Sequence, residues 1–199
     1  MSRVPFRRWL ASLFAPILMM GILAGCHSSR SGAASTAPSF TSAQLRAIVL
    51  TPSDLPDGFA PVVVGSGAFG LCDRSQTDLE TAAAYTETTL APPGDHMLLF
   101  EELYDFANTA ESERMLQDFR RPGDGCSHTE TKVVHPTGLD EDFASYSFSF
   151  PRGVKYNAGL IRSGSTVTIL MLGAKIGPVP APIWHAVVHA AELKVRNDS

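Results

Sequence analysis

From Phe143 to Phe150 the chain reads FASYSFSF, and Tyr146, Phe148 and Phe150 alternate with Ser145, Ser147 and Ser149. A period of two sends aromatics to one side of an extended chain and hydroxyls to the other, so the stretch predicts a strand with one buried and one wet face. Pro151-Arg-Gly153 turns the chain into Val154–Arg162, and Ser163-Gly164 turns it again into Thr166–Leu172. Such punctuation between apolar runs is that of consecutive hairpins. With a further strand over Thr129–His135, the second half predicts an antiparallel sheet.

Helical signals lie on either side of it. Thr41 or Ser42 caps a short helix whose Leu45, Ile48 and Val49 share a face, and Pro52 stops it. Asn108 with Glu111 three residues on opens a second helix, with Ser112, Met115, Leu116 and Phe119 on one side and "RPGDG" after Arg121 as its end. A last helix runs from about Pro182 to Lys194. Ile183, Val187 and Ala190 lie on one side of it, with Trp184, Val188 and Ala191 beside them. Ala60–Val64, Thr81–Leu90 and Asp95–Tyr104 read as further strands, the last two joined by "APPGD". Strands before and after each helix give an α+β class: an antiparallel β-sheet flanked by helices.

The opening of the chain carries a different kind of information. Met1 to Arg8 is a short cationic segment, and Trp9 to Gly25 is an uncharged, largely apolar run that barely reaches the length of a bilayer span. It ends in Leu23-Ala24-Gly25-Cys26, which resembles the lipobox of bacterial lipoproteins. The resemblance implies a signal peptide over 1–25, cleavage before Cys26, diacylglycerol on the Cys26 thiol and acylation of the new amino terminus, for instance by palmitate. Two or more acyl chains meet the requirement for stable anchoring, so the membrane is an expected partner. Residues 26–40, HSSRSGAASTAPSF after Cys26, are almost all Ser, Ala, Gly, Thr and Pro. They read as a flexible tether with a reach of about 20 Å, which leaves 41–199 as one α+β domain.

Composition narrows the partners. A hydrophobic share of 44% excludes bulk disorder. The net formal charge is −4, and the arginines at 3, 7 and 8 leave the remainder three units more acidic still. Nucleic acid and anionic headgroups call for a basic surface, so nucleic acid is not an expected partner.

With Cys26 acylated, Cys72 and Cys126 remain as an even pair in an exported chain, where disulfides persist. A bridge closing that loop contributes about 4 kcal/mol by chain entropy. A reactive or metal-binding thiol pair is the alternative, and no further thiol lies nearby to complete a site.

Beyond the lipobox, the layout resembles actinobacterial lipoproteins and the extracellular sensor domains of receptor Ser/Thr kinases of the PknH type. The residues that carry it are LTPSDLPDGF at 50–59, Cys72, the ESERMLQDF helix with Cys126 after it, the GSTVTIL strand and the C-terminal helix. The resemblance spans about 41–195. It implies a helix-flanked antiparallel sheet outside the cell, often with a groove. Kinase sensors of this type carry two disulfides where this chain allows one, and no kinase part accompanies the domain.

Catalytic signatures are few. Gly65-Ser-Gly-Ala-Phe-Gly70 matches G-x-G-x-x-G but is followed by Leu71-Cys-Asp-Arg74 with no amphipathic helix to hold a pyrophosphate, so it reads as a turn and no cofactor is expected. His185 and His189, with Glu192 three further on, have zinc-compatible spacing. They lie opposite the apolar face, which makes them weak metal candidates and ordinary solvated residues first. Ala186 breaks the His-Glu-x-x-His pattern, and neither G-x-S-x-G nor a P-loop occurs. Glu101, Glu102 and Asp105, like Asp140–Asp142, read as solvated or loop charges. The expected function is a non-catalytic, sensor-like cell-envelope lipoprotein binding a small apolar ligand, a lipid or an envelope protein. An envelope hydrolase with an unrecognised site and an accessory subunit of a membrane complex are the alternatives.

Overall fold

The computed structural model describes residues 40–63, 81–92, 94, 96–120, 132–133, 141–149 and 153–198. Cys26 with its signal peptide and most of its tether, the glycines at 65–70, Cys72, Cys126 and Phe150 lie outside the described residues.

Among the described residues seven strands form one sheet: β1 (Ala60–Pro61), β2 (Ala84–Ala91), β3 (Met97–Asp105), β4 (Lys132–Val133), β5 (Phe143–Ser149), β6 (Lys155–Ser163) and β7 (Thr166–Ala174). Their spatial order is β1-β2-β3-β7-β6-β5-β4, and each neighbouring pair is antiparallel. Hairpins join β2 to β3, β5 to β6 and β6 to β7, and β7 returns beside β3. The centre of the sheet is therefore β3 and β7, and every residue of β7 is buried.

Among the described residues three α-helices accompany the sheet: α1 (Ser42–Ile48), α2 (Thr109–Phe119) and α3 (Ala181–Asp198). Thr41 caps α1 in a reciprocal box: its hydroxyl accepts the Gln44 amide, and the Gln44 side chain accepts the Thr41 amide at 2.9 Å. Asn108 Oδ1 accepts the Glu111 amide at 3.1 Å and starts α2.

The helices bury both faces of the sheet. On one, Trp184, Val187, Val188 and Ala191 of α3 pack with Leu50, Leu55 and Phe59 over Leu99, Ile161, Leu170 and Leu172. Leu45 and Ile48 of α1 extend that face over Ala84 and Leu103. On the other, Leu116 and Phe119 of α2 pack against Tyr146, Ala158, Leu160, Val167 and Ile169.

Double coverage corrects the expectation for Phe143–Phe150. Phe143 belongs to the α3-side cluster, Tyr146 and Phe148 to the α2-side cluster, and Ser145 is itself buried. Only Ser147 and Ser149 stay half-open. A single alternating strand reveals its two sides but not what covers the second. β1 is shorter than the valine run implied: Val63 is fully exposed at the sheet's edge, and only the Val62 amide continues the pairing, to the Thr89 carbonyl. In α3 the buried line is Trp184, Val187, Val188, Ala191 and Val195, with Ile183 and Ala190 half-buried at its margin.

Candidate functional site

Two neighbouring strands set the floor of a cleft. Ser147 stands opposite Asn157 and Ser149 opposite Lys155 on β5 and β6, so four polar residues alternate onto one patch of the sheet. Its wall is the approach to α3: Pro178, Val179, Ala181 and Trp184, with His185 on the next position of the helix. The volume is about 370 Å³, toward the small end of the roughly 300–1,000 Å³ range of ligand sites.

Absent side chains let this wall close down. The Trp184 ring rests on Gly159 of β6, where a β-carbon would sit 3.1 Å from the ring. Tyr156 and Phe148, which also line the cleft, stack at 5.3 Å with planes 12° apart. Gly173 of β7 makes room for them, since a β-carbon there would lie 2.4 Å from the Tyr156 ring. Real contacts never come that close, so Gly173 is required by packing rather than by its backbone angles. Trp184 is 1% exposed, and among the described residues its indole N–H meets no acceptor. A buried donor left unpaired costs about 1–3 kcal/mol, which makes it a feature to be explained.

A second polar cluster lies deeper, under α1 and α3. Glu101, expected in solvent, is fully buried on β3, as is Asp105, while Glu102 is nearly so on the strand's opposite face with Tyr104. The central strand carries them inward because both its faces are covered, a property that composition alone does not display. Glu101 accepts the Leu50 amide at 2.6 Å through one oxygen, and its other oxygen has no hydrogen-bond partner among the described residues. Burial pushes its carboxyl up to about 8, with the Leu50 amide and the Lys194 charge pulling the other way and Asp54 adding to the rise. Lys194 of α3 reaches the Val49 carbonyl at 2.8 Å and Asp54 at 2.7 Å. Burial opposes the Asp54 charge, but Lys194 and Thr51 outweigh it and hold that carboxyl below its usual range. The Val49–Asp54 stretch is thus fastened to strand and helix by the Leu50 amide, the Val49 carbonyl and the Asp54 carboxylate.

Asp105 fastens the beginning of the domain. One oxygen accepts the Phe40 amide at 2.7 Å, the other the Ser165 hydroxyl at 2.8 Å and the Thr166 hydroxyl at 3.3 Å. Glu102 accepts the Tyr104 hydroxyl at 3.1 Å. Asp142 pairs with Arg162, which also meets Glu113 of α2 at 3.1 Å. These carboxylates all hold backbone or neighbouring side chains together, and none lines the cleft.

The two histidines separate. His185 joins the cleft, whereas His189, exposed on the same helix, faces Glu192 with Nδ1 4.0 Å from a carboxylate oxygen. Among the described residues no three His, Cys, Asp or Glu side chains gather as metal ligands would. Sequence reasoning missed Lys155, Asn157 and Trp184 as cleft residues. The readable signal was a polar strip at alternate positions on two consecutive strands, Ser147/Ser149 and Lys155/Asn157.

No family model matches this chain, and no curated protein does. Among solved structures it is similar to the extracellular domain of PknH from Mycobacterium tuberculosis, at 10% identity and a TM-score of 0.56. The match covers 79% of this chain and 98% of that one. At that identity the likeness is one of fold, and it agrees with the sheet and helix layout expected from LTPSDLPDGF onward. No helix among the described residues is long and apolar enough to cross a membrane.

Proposed function

We propose that this chain is a non-catalytic, sensor-like binding module, lipid-anchored through Cys26 on the extracytoplasmic side of the cell membrane, whose ligand site is the cleft at the start of α3. The observation that carries the reading is the makeup of that cleft: apolar walls from Val179 and Trp184, a polar floor from β5 and β6, and His185 with no carboxylate among the described residues lining the site. Acid–base or nucleophilic chemistry calls for a base oriented by a third group, and Glu101, Glu102, Asp105 and Asp142 are engaged elsewhere in holding the fold. Binding needs only shape, apolar surface and a few polar contacts. The fold shared with an extracellular domain and the lipobox-like Cys26 support the location.

Trp184 provides the test, because its ring forms part of the cleft. Of the chain's two tryptophans, Trp9 lies in the segment removed before Cys26, so Trp184 is the one reporter in the processed chain. Titration with a short-chain apolar probe such as hexanol should change the Trp184 emission saturably. A linear change, or none, would contradict a binding site there.

A further inference from the structure

We propose that the cleft takes an anionic amphiphile, a compact carboxylate or phosphate head carried on a short apolar body. The proposal rests on the reading of this cleft as the ligand site and adds the chemistry of what enters it.

Three observations converge on a negative head. Among the described residues the one formally charged side chain of the lining is Lys155, with the imidazole of His185 beside it and no carboxylate, on a chain whose net formal charge is −4. A cationic group in a cleft of an acidic protein selects anions. Lys155 is exposed, and no carboxylate pairs with it among the described residues. The N-terminus of α3 opens onto the same space at Ala181. Pro180 before it brings no capping side chain, and no acid occupies the first turn. An 18-residue helix thus presents its positive end uncompensated.

The apolar half follows from Pro178, Val179 and the Trp184 ring. At about 370 Å³ the space suits a head and a short chain, not a complete two-chain lipid. A free metabolite and the exposed part of a lipid share this chemistry, and the head-only and head-plus-chain probes below distinguish them.

The full chain in phosphatidylcholine nanodiscs is titrated calorimetrically with hexyl phosphate, hexanoate, hexanol and inorganic phosphate, with empty nanodiscs as blank. The expected result is that either hexyl anion binds at least about tenfold more tightly than hexanol at low salt. Raising ionic strength weakens the anions and leaves hexanol unchanged. Lys155→Gln, at an exposed position, should remove most of the preference without loss of the hexanol site. Hexanol binding as well as the anions, with no effect of Lys155→Gln, would overturn the anionic class while leaving the cleft as a binding site. Inorganic phosphate binding as tightly as hexyl phosphate would overturn the apolar half. Absence of binding by all four probes would overturn the cleft reading itself.

Discussion

Glu101 is the residue whose behaviour departs furthest from its sequence context. Its ordinary carboxyl value is 4.5, and burial raises it to about 8 in the folded chain. Between these values the folded state keeps a proton that the unfolded state has released, so the stability tied to this group is fullest below about pH 4.5 and falls as pH rises through 8. Glu101→Gln keeps an acceptor for the Leu50 amide and removes the titration. Denaturant unfolding at several pH values should show a flatter profile for the variant, which should gain on the order of a few kcal/mol over the parent near pH 8. Parallel profiles would contradict the assignment. Glu101, Glu102 and Asp105 looked like a solvated cluster because sequence displays charge and not depth. Nothing local marks β3 as the strand buried on both sides, and the partners of Glu101 are 51 residues before it at Leu50 and, by charge, far downstream at Lys194.

At the scale of elements, α3 divides its residues by role. Trp184 is buried against Gly159, while His185 and His189 are exposed. Trp184→Ala should cost about 3–5 kcal/mol by removing a large packed ring. His185→Gln and His189→Gln together should stay within about 0.5 kcal/mol, the usual range of surface changes. Comparable losses in both variants, measured by chemical unfolding, would contradict this division. The helix and its apolar face were legible because a 3.6-residue period is a local property. The central role of Trp184 was not, because it depends on a glycine on a strand two elements earlier. Similarly, the Ser/aromatic alternation of β5 was legible as a strand, but the burial of Ser145 depends on what covers the second face of the sheet. Gly173 makes the same point on the other side: its lack of a side chain is what admits the Tyr156 ring. Gly173→Ala should therefore destabilise by about 1–3 kcal/mol through overpacking. The penalty should shrink when combined with Tyr156→Ala, and strict additivity in that double-mutant cycle would contradict the contact.

The whole molecule has a helix-covered antiparallel sheet after an N-terminal stretch whose likeness to a lipoprotein leader is written locally, in its sequence. The sheet, the helices and their order were readable from periodicity and turn residues, and the fold agrees with that of the PknH extracellular domain. The cleft was not readable as a site, since Pro178–His185 and Ser147–Asn157 are brought together only by the docking of α3. For the leader, Cys26→Ala should abolish labelling by a fatty-acid probe, and unchanged labelling would refute acylation at that thiol. In the exported chain, Cys72 and Cys126 should be recovered as one cross-linked peptide pair without reduction. Free alkylation of both would refute the bridge.

The central claim is that the cleft beside Trp184 is where this domain meets its ligand. The indole N–H resonance of Trp184, the one tryptophan left when residues 1–25 are removed, reports on it most directly in a ¹⁵N-labelled chain. Titration with hexyl phosphate should shift that signal saturably, together with the amides of β5, β6 and the start of α3. A stationary Trp184 indole signal at saturating hexyl phosphate, with shifts confined to residues remote from β5, β6 and the start of α3, would contradict the account.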